Sequence, residues 1–256
     1  MLYICIPVHN EAPTIGVLLW QLRKVFQEYS REYEILVYND GSTDATEETL
    51  AGYGAVLPLT VLGGAERVGY ARALTELFRA ASQRTRYARR DAVITMQGDF
   101  TDAPERIPEF VKRFEGGADI VVGEIAPEGP ATPLPQAIRR MRRLAPLALR
   151  PFVRTDGVRD PFGAFRLYRV SVIRDALKAA GNAPLVTATG WAANVDLLLS
   201  LLPHSRRTES VVLEPRYDLR PRASRIRPLS DVWALLRFSR SARSRSVRAV
   251  ASTPAS

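Results

Sequence analysis

The 256 residues predict an α/β fold built on a mostly parallel, doubly wound sheet with helices on both faces. Two observations carry this. Across the first 125 residues, short apolar runs rich in β-branched residues alternate with amphipathic stretches, the signature of repeated strand–helix–strand units. Polar segments follow several of these runs, where loops at the carboxyl ends of parallel strands bind ligands.

Leu2 to Pro7 reads as a short buried strand. Thr14 to Tyr29 reads as a helix, with Ile15, Leu18, Leu19, Leu22, Val25 and Phe26 on one face. Tyr33 to Tyr38 is a second strand, Thr43 to Tyr53 a helix opened by a Ser/Thr/Asp cluster, and Val56 to Leu62 a third strand. Tyr70 to Ala81 is helical, and Asp91 to Met96 is a fourth buried strand. Pro104 to Glu115 is a helix introduced by proline, and Ala118 to Val122 a fifth strand. Glu124 to Pro135, rich in Pro and Gly, predicts a mobile loop, and Gln136 to Leu149 a basic, partly apolar helix. Later strands fall at Gly163 to Tyr168 and Ser210 to Leu213, with one more helix at Ser230 to Phe238. Ser239 to Ser256, mainly Ser, Arg and Ala, predicts a disordered tail.

With 46% hydrophobic residues the chain can bury one sizeable core. No uninterrupted apolar stretch reaches the eighteen or so residues of a membrane-spanning helix, and the start MLYICIPVHNE lacks a basic leader, so a cytoplasmic location is expected. The single Cys5 excludes an internal disulfide. The net charge of +9 is unevenly spread: residues 204–256 hold twelve Arg against Glu209, Glu214, Asp218 and Asp231. Arg139, Arg140, Arg142, Arg143, Arg150 and Arg154 form a second, acid-free cluster. Such charge suits an anionic membrane or phosphorylated substrates. Nucleic acid is not expected, because the tail lacks interleaved aromatics and no recognition module is visible.

Three polar segments carry the chemistry. Pro7, Val8, His9, Asn10 and Glu11 follow the first strand; Asn39, Asp40, Gly41, Ser42, Thr43 and Asp44 close the second; Gln97, Gly98, Asp99, Phe100, Thr101, Asp102 and Ala103 follow the fourth, ahead of Pro104 and Glu105. Carboxylates and carbonyls at strand ends can accept hydrogen bonds from a nucleobase imide and ribose hydroxyls. Taken alone, the Asp40 to Asp44 segment is also a good turn and helix cap.

Together the first two segments resemble the PxxNE and DDGSTD motifs of glycosyltransferase family 2, and the third resembles that family's metal-binding DxD. The resemblance implies a GT-A fold, a Rossmann-like sheet with a smaller acceptor-side region. It spans residues 1–238 as one domain, 1–125 for the nucleotide sugar and 126–238 for the acceptor, before a basic tail at 239–256. It further implies that Pro7, Val8, His9, Glu11, Tyr38 and Asp40 line the nucleoside pocket. Gln97, Gly98 and Gly69 would border the diphosphate, and Asp99 would ligate Mg²⁺ or Mn²⁺. Gln97 stands where the family has its first Asp.

Asp160 to Arg166 (DPFGAFR) resembles the family's DxxSGFR, and Gly190, Trp191 and Asp196 its acceptor-side helix. Asp160 and Asp196 are the general-base candidates if the acceptor is a hydroxyl, and Arg166 is a substrate-binding candidate. A phosphate monoester needs no base. Arg139 to Arg143, followed by apolar residues, resembles the interfacial helix of dolichol-phosphate mannosyltransferase and related polyprenyl-phosphate enzymes. Arg220 and Arg222 resemble that subgroup's basic loop over the donor diphosphate. Arg139, Arg143, Arg220 and Arg222 then bind phosphate groups. The function implied is inverting transfer from a nucleoside-diphosphate sugar, GDP-mannose-like or a UDP-sugar, to polyprenyl phosphate, with the protein peripheral at the inner membrane face. A soluble enzyme acting on a hydroxyl and a non-catalytic nucleotide-sugar-binding protein are the alternatives.

Overall fold

A computed structural model describes residues 1–125 and 158–214. The first strand, β1 (Leu2–Val8), is followed by helix α1 (Ala12–Glu28), β2 (Tyr33–Asp40) and α2 (Thr46–Gly54). Next come β3 (Leu59–Gly64), α3 (Tyr70–Arg84), β4 (Ala92–Thr95), a 3₁₀ turn at Pro104–Arg106, α4 (Ile107–Glu115) and β5 (Ile120–Ile125). After the second described stretch begins come β6 (Arg166–Arg169), α5 (Val170–Ala180), α6 (Trp191–Leu201) and β7 (Thr208–Leu213).

These strands form one sheet in the order β3-β2-β1-β4-β6-β5-β7. Strand β6 pairs antiparallel with β4 and β5, placing Thr95 and Val122 opposite Arg166, and the other pairings are parallel. Residues after 157 are therefore woven into the same sheet as the N-terminal strands.

Alternation along β1 explains two cores. Leu2, Ile4, Ile6 and Val8 pack on one face with Ile15, Leu18, Leu19 and Leu22 of α1 and Ile107 and Phe110 of α4. Tyr3 and Cys5 point to the other face, against Leu74, Leu77 and Phe78 of α3 and residues of α5 and α6. Covered on both sides, β1 buries every residue except the half-buried Pro7. That is why it reads as a continuous apolar run.

Several boundaries differ from the sequence reading. Helix α2 starts at Thr46 rather than Thr43, because the side chains of Ser42, Thr43 and Asp44 are engaged by Asn10 and Ala12 after β1. Strand β3 starts at Leu59 because Val56 and Leu57 donate to the Tyr53 carbonyl and extend the turn after α2. Glu124 and Ile125, expected in a loop, pair with Val212 and Leu213 as the end of β5. Helix α5 has no counterpart among the elements expected from the sequence. The expected segments at Gln136 to Leu149, Ser230 to Phe238 and Ser239 to Ser256 lie outside the described residues, as does the loop from 126 to 135.

Candidate active site

The parallel strands β1 to β4 end along one edge of the sheet, and β5 ends there too because two antiparallel pairings separate it from β4. Strand β6 runs the other way, so the segment leading into it, from Asp160, reaches the same edge. The three sequence motifs are therefore neighbours in space.

The loops after β1 and β2 are stitched together. Asn10 adopts a left-handed backbone (φ 54°), which turns its polar groups toward the second loop. Its N–H donates to Ser42 Oγ at 3.0 Å, and its Oδ1 accepts the Thr43 N–H at 2.7 Å. The Glu11 N–H donates to the Thr46 hydroxyl at 2.9 Å, and the Ala12 N–H to Asp44 Oδ2 at 3.2 Å. Desolvation disfavours the Asp44 carboxylate, but the Thr46 hydroxyl and the amides of Ala12 and Thr46 outweigh it and hold its pKa below the ordinary value.

Asp40 is 5% exposed and organises the approach to α3. Its Oδ1 accepts the N–H groups of Val68 at 2.6 Å and Gly69 at 2.9 Å, while Arg67 Nε lies 4.0 Å from Oδ2. The His9 ring donates from Nδ1 to the Asp40 carbonyl at 2.7 Å, a bond that requires the proton on that nitrogen. Tyr38 covers Gly63, where a β-carbon would fall 2.8 Å from its ring and 2.4 Å from the Asn39 carbonyl. Burial, then the nearby Glu76 and Asp40 carboxylates, raises the pKa of the Tyr38 hydroxyl.

The loop after β4 forms the other wall. Gly98 lies against Val8, and its carbonyl accepts the Thr14 hydroxyl at 2.9 Å; the same hydroxyl is 3.1 Å from Glu11 Oε2. Thr14 thus connects Glu11 to the third motif, although in sequence it looks only like the start of a helix. Asp99 is 3% exposed, and its Oδ1 accepts both the N–H and the hydroxyl of Thr101, at 3.2 and 2.6 Å. Asp102 Oδ2 accepts the Gln97 N–H at 2.9 Å, closing the loop. Between them Phe100 is left-handed (φ 61°), an unfavourable backbone for a bulky residue, with its ring buried.

The oxygen chemistry of Asp99 suits Mg²⁺ or Mn²⁺. Among the described residues no group of three or more His, Cys, Asp or Glu side chains could hold a metal ion. An ion beside Asp99 would therefore draw further oxygens from a bound diphosphate and water.

In the segment leading into β6, Asp160 Oδ1 accepts the Phe162 N–H at 3.1 Å and its Oδ2 the Ile125 N–H at 3.4 Å. Glu124 Oε1 accepts the Arg159 N–H at 2.7 Å. Asp196 Oδ2 accepts the N–H and hydroxyl of Thr187 and the N–H of Ala188, at 2.7, 2.9 and 3.0 Å. Arg166, expected to face substrate, is 1% exposed. Its guanidinium donates to the carbonyls of Asn194 and Pro161 and to the Tyr168 hydroxyl, so it acts as an internal strut. Arg139, Arg143, Arg220 and Arg222 lie outside the described residues.

Residues 3–177 match the family model described as glycosyl transferase family 2. The chain is 32% identical over 200 residues to undecaprenyl-phosphate 4-deoxy-4-formamido-L-arabinose transferase of Pseudomonas aeruginosa (strain LESB58), a match covering 74% of this chain and 53% of that protein. It thus spans about half the length of that relative. Among solved structures, glucosyl-3-phosphoglycerate synthase from Mycobacterium tuberculosis, in complex with Mn²⁺, UDP and glucosyl-3-phosphoglycerate, superposes with a TM-score of 0.59 at 21% identity, covering 94% of this chain and 78% of that one. S. aureus TarS 1–349 in complex with UDP-GlcNAc superposes with a TM-score of 0.57 at 15% identity, covering 94% and 66%. These likenesses show the GT-A fold. Among the described residues no helix is long and apolar enough to cross a membrane. With the family model running from β1 into α5, and its three motifs gathered at one sheet edge, the chain belongs to glycosyltransferase family 2.

Proposed function

We propose that this glycosyltransferase moves a sugar, with inversion, from a nucleoside-diphosphate sugar to a polyprenyl phosphate at the cytoplasmic membrane face. In this reading residues 1–238 are one catalytic domain. Glu11, His9, Tyr38 and Asp40 hold the nucleoside, and Gly69, Gln97 and Gly98 border the diphosphate. Asp99 would hold Mg²⁺ or Mn²⁺, which would neutralise charge on the departing nucleoside diphosphate. The acceptor oxygen attacks the anomeric carbon opposite the leaving group. One C–O bond forms as the bond to the diphosphate breaks, with its electron pair leaving on the nucleoside diphosphate. Arg139, Arg143, Arg220 and Arg222 neutralise the phosphates.

The observation that carries the choice of acceptor is the state of the two candidate bases. Asp160 accepts from Phe162 in its own segment and from Ile125 at the end of β5, and Asp196 accepts from Thr187 and Ala188 ahead of α6. Both carboxylates are held in place within the protein, which fits an acceptor that arrives already ionised and asks for no proton acceptor at the reacting atom. The 32% identical relative, named for undecaprenyl phosphate, supports the same choice.

The test is to incubate the protein with vesicles containing undecaprenyl phosphate, labelled UDP- or GDP-sugars and Mg²⁺ or Mn²⁺. Label should enter the lipid fraction and stay in the aqueous one with Asp99→Ala. Transfer to soluble hydroxyl acceptors alone would sink the lipid reading, and donor binding without any transfer would mark a binding protein.

A further inference from the structure

Asn194 of α6 is 5% exposed, yet both ends of its side-chain amide are used. Its Oδ1 accepts the Tyr70 hydroxyl at 2.7 Å, and its Nδ2 donates to the Phe162 carbonyl at 3.1 Å. Tyr70 opens α3 directly after Gly69, whose N–H is held by Asp40. Phe162 is held at its own N–H by Asp160. One amide therefore ties the nucleoside-side loop to the acceptor-side loop, joining Tyr70 to a residue 124 positions away.

We propose that Asn194 and Tyr70 are positioning residues that latch these two loops together, so that nucleotide affinity depends on the latch. This rests on the reading of the Asp40 edge as the donor site. The amide cannot rotate without breaking one bond or the other, and a polar group left unpaired in the interior is costly. The two loops are thereby constrained to move as one. Docking of α6 does not require the amide, because Ala193, Val195, Leu197, Leu198 and Leu201 already bury its apolar surface. Arg166 adds a brace by donating to the Asn194 and Pro161 carbonyls, at 2.7 and 2.5 Å.

Two conservative variants separate the arms. Tyr70→Phe keeps the ring and removes the hydroxyl, while Asn194→Asp keeps an acceptor for Tyr70 but turns an oxygen toward the Phe162 carbonyl. Binding of UDP and of GDP, each with Mg²⁺, is measured by calorimetry alongside thermal unfolding. Each variant should weaken the nucleotide that the parent protein binds by about fivefold or more, as expected for loss of one buried hydrogen bond. The double variant should lose little more than the worse single, because either break opens the same latch. Variants that bind within twofold of the parent, whatever their melting temperature, overturn the latch and leave the donor site standing. A parent protein that binds neither nucleotide overturns the donor-site reading and the latch with it.

Discussion

Replacing Gly98 by alanine puts a methyl group where β1 already sits. Its β-carbon would fall 2.8 Å from Val8 Cγ1 and 3.4 Å from Glu11 Cγ, the former about 0.6 Å inside ordinary contact. Val8 has little room to retreat: its backbone is in register with Asn39 of β2 and its side chain is part of the core on the α1 face. The loop from Gln97 to Asp99 must yield instead, carrying the Asp99 carboxylate with it. Overpacking of this kind costs about 1–3 kcal/mol. For a chain of this size about 2 kcal/mol lowers the melting temperature by roughly 4–8 °C. Displacing Asp99 by even part of an ångström should lower the transfer rate about tenfold or more. Circular dichroism melts and calorimetry with UDP and Mn²⁺ measure the consequences for the fold and for nucleotide binding. Gly52→Ala, in α2 with nothing within 4 Å, is the control, and it should be neutral or gain about 0.5–1 kcal/mol. An unchanged melting temperature together with unchanged nucleotide affinity in Gly98→Ala would refute the reasoning, because Val8 would then have moved aside without cost.

Two further outcomes follow from individual side chains. The Asp44 pKa lies below its ordinary 3.8 in the folded state, so its carboxylate contributes stability above that pH and loses it as the pH falls below. Asp44→Ala should be less stable than the parent at pH 7 by no more than about 1 kcal/mol, given its exposure, with the gap narrowing below pH 4; a gap that stays constant with pH in urea titrations would contradict the linkage. Cys5 is fully buried in β1, and burial pushes its thiol pKa up, so a thiol-specific chromogenic reagent should react only as fast as the protein unfolds. Rapid stoichiometric labelling of the native protein would contradict the burial.

Much of the fold is legible in the amino-acid sequence because its signals are local. The i, i+3, i+4 spacing from Ile15 to Phe26 defines the buried face of α1, and the unbroken apolar run of β1 marks a strand covered on both faces. Helix α5 is harder to read although Val170, Val172, Ile173 and Ala176 form a buried face, because the strand read at Gly163 to Tyr168 runs almost directly into it. The end of β2 shows the same limit within the candidate site. Residues Asp40 to Asp44 make a good turn and cap in isolation, and only the bonds from Asn10 to Ser42 and Thr43 reveal them as half of a joint between loops.

By itself the sequence determined the α/β class, the family motifs and the strand ends that carry them, because hydrophobic periodicity and motif spacing are properties of short segments. Only the tertiary structure decided which polar groups face one another. It buried Arg166 among carbonyls, engaged Asp196 with the Thr187 and Ala188 amides, and joined Tyr70 to Asn194. A bond such as that from Tyr70 to Asn194, 124 positions away, leaves no local pattern, because its partners are chosen by how the sheet is ordered and how the helices close over it.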